Sequence, residues 1–282
     1  MFKKICSYLF VIGLTVPLYS KEFYLEPYKT NYILPFSYKP GKTYYSYNIS
    51  DKYTNTEFEF QISLKYNFLN NFFGLNEKYY LSYTQKTFWQ LYTDSSPFRE
   101  INYNPELFVV FPFERDIGCF HFKKFKASIV HNSNGRGNII ETNPEYYFPD
   151  IRYFKNSSRS HNYLEFSTLF EFHKIDIVTS FLINYLGKSD LDDNPDIYTY
   201  YGHFGLQFHY NLKDFDLSLK THFNPIKLNG NLEFNIFYEV PHSDSLYVYF
   251  KYFHGYYESL IDYNNNVDKL SVGLSFNLDK IF

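Results

Sequence analysis

The feature that most restricts this chain is an alternation. Phe58, Phe60, Ile62, Leu64, Tyr66 and Phe68 share one parity, and Glu57, Glu59, Gln61, Ser63, Lys65 and Asn67 share the other. Side chains along a strand point to opposite faces with period two, so this stretch is a strand with one greasy and one wet side. The pattern returns at Phe204, Leu206, Phe208, Tyr210 and Leu212, then at Leu217 and Leu219. It returns again at Leu232, Phe234, Ile236 and Tyr238, and last at Leu270, Val272, Leu274, Phe276 and Leu278. About a dozen strands separated by Asn, Asp, Gly and Pro-rich turns can be placed this way. They lie near 31–39, 57–68, 77–92, 104–114, 119–133, 160–173, 175–187, 199–212, 214–223, 229–241, 244–256 and 268–282. An even number of antiparallel strands of about ten residues can close with no free edge. The expected fold is therefore all-β, a 12-stranded antiparallel transmembrane β-barrel. A soluble sandwich with its apolar face buried inside is the alternative.

Composition agrees with strands in a membrane. Phe (33) and Tyr (32) make aromatics 23% of the 282 residues, a choice that suits strands and interfacial aromatic belts. A mean hydropathy of −0.39 does not count against a barrel, because alternation averages out. No run of 18 or more apolar residues offers a helical span. The formal charge of −3, with no long basic run, leaves no electrostatic footprint for nucleic acid.

Residues 1–20 read as a secretory signal, and residues 21–282 as one barrel domain. Lys3 and Lys4 give the positive start, Leu9 to Val16 the apolar core, and Pro17-Leu18-Tyr19-Ser20 a cleavage region ending in a small residue. Cleavage after Ser20 removes both lysines, taking the charge from −3 to −5, and also removes Cys6. Cys119 is then alone, and no internal disulfide is expected.

One constellation carries chemistry. His131 and Ser133 are two apart near a strand end, which puts an imidazole and a hydroxyl on one face, as nucleophilic catalysis requires. Asn162, near the start of the following strand, could hold the imidazole in one tautomer. Phe125, Ala127 and Ile129 share parity with His131 and Ser133, while Leu164, Phe166, Phe170 and Phe172 share parity with Asn162. If the apolar faces meet lipid, all three candidates point outward. Polar groups facing hydrocarbon are costly, so they are functional candidates, and a lipid substrate would explain their direction.

His131-Asn132-Ser133-Asn134-Gly135-Arg136, with Ser158-Arg159-Ser160-His161-Asn162, resembles the active-site signature of the outer membrane phospholipase A family. Further blocks are similar to the family in order along the chain. They are Ser82–Lys86, Ser95–Glu100, Asn102–Phe108, Asp192–Ile197 and Tyr257–Asn264. The resemblance implies a twelve-stranded barrel in the Gram-negative outer membrane. It implies a calcium-dependent hydrolase that releases acyl chains from either position of phospholipids, and from lysophospholipids. Ser133 would be the nucleophile, His131 the base and then acid, and Asn162 the residue that orients His131. A neutral Asn costs less than a carboxylate beside hydrocarbon. The Gly135 N–H and a calcium-bound water would stabilise the oxyanion. The implied calcium (Ca2+) ligands are the Arg136 carbonyl, the Ser158 hydroxyl and Ser95 from a second copy of the chain, all hard oxygen donors without a carboxylate. The active species would then be a homodimer. Gln85, on the parity of Leu81, Tyr83, Trp89 and Leu91, would lie in its lipid-facing interface.

The chain departs from the family pattern at two places. Asn132 stands where Asp is usual, and His161 where Trp is usual before the triad Asn. The parity of His161 points into the barrel, so His131 is the expected base. Residues 137–157 form a longer, Tyr-rich loop than the family suggests, which bears on Ser158. Asp192, Asp193 and Asp196 form an acidic turn that is either ordinary turn chemistry or a second cation site. Two functions follow: an esterase on phospholipid acyl bonds, or a pore or adhesin with an incidental His-x-Ser.

Overall fold

The structure, a computed structural model, describes residues 24–44, 52–137, 157–185, 192–243, 245–279 and 281–282. The expected signal at 1–20 lies outside these residues, as does nearly all of the loop 137–157.

Twelve long strands close a barrel. They are β2 (Tyr32–Tyr38), β3 (Thr56–Asn70), β4 (Lys78–Trp89), β5 (Phe98–Ile117), β6 (Phe120–Ser133), β7 (Ser160–Phe172), β8 (Ile175–Asn184), β9 (Phe204–Leu212), β10 (Phe215–Asn224), β11 (Asn229–Glu239), β12 (Tyr247–Gly255) and β13 (Val267–Ser275). Each pairs antiparallel with its neighbours in sequence, and β13 pairs with β2 to complete the ring. A short strand, β1 (Leu25–Pro27), prolongs the β2 side of the ladder along β3. The barrel is the expected one, and it is closed.

The two faces settle its solvent. Ile62, Leu81, Leu107, Ile129, Phe250 and Leu270 are exposed on the outside. Buried charges fill the inside. Arg99 forks onto Glu57 through Nε (2.8 Å) and Nη2 (2.9 Å), and donates from Nη1 to Asp262 (2.7 Å). Lys269 joins Glu57 (2.5 Å), Glu59 (3.2 Å) and Glu258. Farther along, Lys126 pairs with Glu106 at 2.9 Å. Charges taken out of bulk water survive only when paired and hydrogen-bonded, and these are. An apolar exterior over a charged interior is the distribution of a barrel whose surroundings are hydrocarbon. No described helix is long and apolar enough to cross a membrane, which says nothing about strands.

Among the expected boundaries that change, three alter what lies inside the barrel or beside the site. β5 begins at Phe98 rather than 104. A register shift at Phe88/Trp89 marks a bulge that turns both Arg99 and Glu100 inward, breaking the alternation there. A four-residue helix, α1 (Ile197–Tyr200), precedes β9 where strand was expected from 199. The last strand ends at Ser275, not 282. Asn277 accepts from the Asn31 backbone N–H (2.9 Å), and Asp279 accepts from the Thr30 backbone N–H (2.6 Å). Phe282 ends inside, packed with Tyr28, Tyr80 and Phe108, with the Lys126 ammonium 5.4 Å from its ring centre.

Candidate active site

The site lies where the β6–β7 ladder ends. The last two residue pairs on its outer face are His131 with Asn162 and Ser133 with Ser160. Asn132 with His161 lies between them on the inner face. Because His131 and Asn162 are directly opposite, their side chains meet: His131 Nδ1 is 2.8 Å from Asn162 Oδ1. With the amide oxygen accepting, Nδ1 carries the proton and Nε2 is free. Ser133 stands two residues along the same face, about 7 Å away along the strand. Among the described residues no hydrogen bond yet joins Ser133 to His131. Such contacts commonly tighten only when substrate is bound. Ile129, 48% exposed on the same face, fixes the direction as outward.

The row through Ser133 continues around the wall: Ser133 faces Tyr103 on β5, and Tyr103 faces Gln85 on β4. Gln85 is satisfied along its own strand. Its Oε1 accepts from Tyr83 OH (3.0 Å), and its Nε2 donates to Thr87 (3.2 Å). These bonds lower the cost of its outward direction without any partner.

Beyond the strand end, Gly135 takes φ +64°, a conformation that side chains with Cβ resist. The ring of Tyr103 packs on it so closely that an added Cβ would lie 2.8 Å from Cε2. Arg136 turns its guanidinium away from the outer face. Nη2 donates to the Arg99 carbonyl (2.5 Å), and Nε pairs with Glu100 at 3.4 Å.

Asn134 was missed by sequence reasoning. It is buried, and its backbone N–H donates to the Arg159 carbonyl (3.0 Å). Nδ2 donates to the Ser157 carbonyl (2.8 Å), while Oδ1 accepts from the backbone N–H groups of Arg159 (3.0 Å) and Arg136 (3.2 Å). One side chain thus ties the Gly135-Arg136 turn to the start of β7. An Asn two residues before the Arg136 N–H, followed by Gly, is an Asx-turn signature that could have marked it.

Ser158 donates to Asp193 Oδ2 at 2.5 Å. A carboxylate therefore abuts the hydroxyl implied as a calcium ligand, where a ligand set without carboxylate was expected. Ser158, Asp193 and the Arg136 carbonyl are hard oxygen donors of the type calcium takes, and the turned-away guanidinium leaves its charge elsewhere. By donor chemistry these oxygens suit such an ion. Ser95 is exposed on the loop before β5, with φ +61°. Two other residues of this turn are hydrogen-bonded within the fold. Asp196 accepts from Tyr263 OH (2.5 Å), and Asn194 accepts from the Ser160 backbone N–H (3.0 Å). No cluster of three or more His, Cys, Asp or Glu suited to a metal occurs among the described residues.

A closed barrel of twelve strands with an apolar outer wall, bearing a His–Asn pair and a serine on that wall, defines an integral membrane β-barrel. The phospholipase A1 family model matches residues 17–143 and 153–276, and the chain belongs to that family. It is 32% identical over 198 residues to Phospholipase A1 of Escherichia coli strain K12, an alignment covering 70% of this chain and 61% of that protein. It is 31% identical over 204 residues to a putative phospholipase A1 of Neisseria meningitidis serogroup B, covering 70% of this chain and 48% of that one. Its matched region thus spans less than two thirds of these relatives. The fold is similar to the calcium-bound dimer of Salmonella typhi outer membrane phospholipase, with TM-score 0.78 and 31% identity over 92% of this chain and 94% of that one. It is likewise similar to outer membrane phospholipase A from Escherichia coli, with TM-score 0.77 and 30% identity over 92% and 100%.

Proposed function

We propose that this chain is a calcium-dependent phospholipase of the bacterial outer membrane, active as a homodimer. It hydrolyses sn-1 and sn-2 acyl esters of phospholipids, and lysophospholipids. The observation that carries the reading is the His131–Asn162 hydrogen bond on the lipid-facing wall, beside Ser133. An acyl ester in the surrounding leaflet reaches this wall without entering the lumen. The buried charge network crowding that lumen fits a transport pore poorly.

In the mechanism, Asn162 holds the Nδ1 proton of His131, so Nε2 takes the proton of Ser133 Oγ as that oxygen attacks the ester carbonyl. The carbonyl oxygen gains the negative charge and lies against the Gly135 N–H. His131 then returns its proton to the departing lysolipid oxygen. Water, deprotonated by the same imidazole, releases the fatty acid and restores Ser133. The neutral Asn162 suits a wall beside hydrocarbon, where a carboxylate would be costly to desolvate. Calcium, when bound, supplies positive charge beside the developing oxyanion. The residues that would hold it are the Arg136 carbonyl, Ser158 and Asp193, with Ser95 supplied by a second copy across an interface at the Gln85 face. The dimer of the Salmonella typhi protein, crystallised with calcium, supports a calcium-bound homodimer.

The test is phospholipid hydrolysis by the refolded chain with and without calcium. Hydrolysis that requires calcium is the expected result. No hydrolysis at any calcium level would reject the reading.

A further inference from the structure

The inner face of the β6–β7 ladder, directly behind the candidate triad, holds a connection that the mechanism above does not use. Tyr257 lies in the loop between β12 and β13 and reaches across the lumen. Its hydroxyl accepts from Asn132 Nδ2 at 2.8 Å and lies 2.6 Å from His161 Nε2. With the Asn amide donating, the phenol proton is available to His161 Nε2, and the imidazole tautomer sets the direction of that bond. One hydroxyl therefore joins the two inward residues of the pair flanked by His131–Asn162 and Ser133–Ser160. These are also the two positions where the chain departs from the family pattern.

The ladder is close to its end at this point, with Asn134 adding one more backbone bond to Arg159 beyond it. β6 ends at Ser133, strand ends fray readily, and the outward residues here are polar and gain nothing by packing on hydrocarbon. Tyr257 is itself well held. Its ring stacks on Tyr201 with centroids 3.9 Å apart, and its backbone N–H donates to the Tyr263 carbonyl (3.1 Å). His161 is fully buried, stacked on Tyr163 at 5.0 Å and edge-on to Tyr257 at 5.8 Å. Tyr257 takes φ +64°, a region that bulky residues rarely adopt, so the loop is bent to deliver this ring.

We propose that Tyr257 is a positioning residue, which clamps Asn132 to His161 and so keeps His131, Ser133 and Asn162 in register for proton transfer. The proposal rests on the reading that Ser133 and His131 are catalytic. Clamping acts on the geometry of the reacting groups and not on the lipid surface that meets substrate. Its removal therefore lowers kcat rather than raising KM.

The experiment uses the full chain refolded in detergent with calcium, and reads kcat and KM per folded molecule on phospholipid in mixed micelles. Tyr257→Phe is expected to lower kcat about tenfold with KM changed less than about twofold. Asn132→Ala should do the same, and the double variant should be no worse than either alone, because both break one connection. An unchanged kcat per folded molecule, a loss confined to KM, or losses that multiply would each overturn the clamp. If Tyr257→Phe does not fold, Asn132→Ala decides alone: folded with unchanged kcat, it overturns the proposal. Ser133→Ala is run beside them. Full hydrolysis by that variant rejects the catalytic reading itself, whereas an inactive Ser133→Ala with a fully active Tyr257→Phe rejects the clamp only.

Discussion

Asn162 Oδ1 lies 2.8 Å from His131 Nδ1, across a directly opposed pair at the end of two antiparallel strands. The bond selects the tautomer that leaves Nε2 basic. Replacing Asn162 with Ala removes a neutral hydrogen bond and frees the ring to turn. We expect kcat to fall about ten- to a hundredfold, the rate equivalent of about 1–3 kcal/mol. The barrel should stay folded, because the side chain faces outward. Steady-state kinetics on the refolded variant checks this, and an unaltered kcat would remove Asn162 from the machinery.

Gly135→Ala tests the oxyanion assignment. An Ala Cβ would lie 2.8 Å from the Tyr103 ring, on a backbone already at φ +64°. The turn must shift, and the Gly135 N–H with it. Loss of one oxyanion donor typically costs about a hundredfold or more in kcat. A folded Gly135→Ala chain with near-normal turnover would place the oxyanion elsewhere.

Asn134→Ala removes the side-chain bonds that tie the turn to β7. Buried backbone groups left without partners cost about 1–3 kcal/mol. That cost falls on the turn and not on the barrel ladder. Activity should drop and the calcium needed for half-maximal activity should rise, with thermal unfolding of the barrel little changed. Asn134→Asp keeps the accepting oxygen but loses the donor to Ser157, so its effect should be smaller. Equal activity in all three chains would show that the turn needs no such tie.

Asp193→Asn tests the proposed calcium ligands. The Asp193 carboxylate accepts from Ser158 at 2.5 Å. Asp193→Asn keeps the shape and removes the charge, and calcium affinity falls with ligand charge. Titrating activity with calcium should show a several-fold higher midpoint and a similar maximum. An unmoved midpoint would leave Asp193 a turn residue only.

The sequence shows most of this architecture wherever alternation is unbroken. β3, read as 57–68, runs 56–70. Alternation fails where a bulge intervenes, as at Arg99 and Glu100, which both turn inward and hide the start of β5. It also misleads past Ser275. Phe276 and Leu278 continue the pattern, but Asn277 and Asp279 leave the ladder to bind residues 30 and 31. The outer candidates were legible because parity puts His131, Ser133 and Asn162 on one face and the motifs around them resemble the phospholipase signature. Asn134 and Tyr257 were not. Asn134 works from the inner parity: its Asx-turn pattern with Gly135 marks the turn to Arg136, but its bonds to residues 157 and 159 cross to the start of β7 and leave no local pattern. Tyr257 comes from 125 residues away and owes its place to closure of the ring.

The proposed chemistry turns on Ser133, mounted on the outer wall, as the nucleophile. Phospholipid hydrolysis by refolded Ser133→Ala, measured with calcium beside the unaltered chain, tests it most directly. The expected result is a correctly folded barrel that releases no fatty acid above background. A folded Ser133→Ala that hydrolyses phospholipid at the unaltered rate would contradict it.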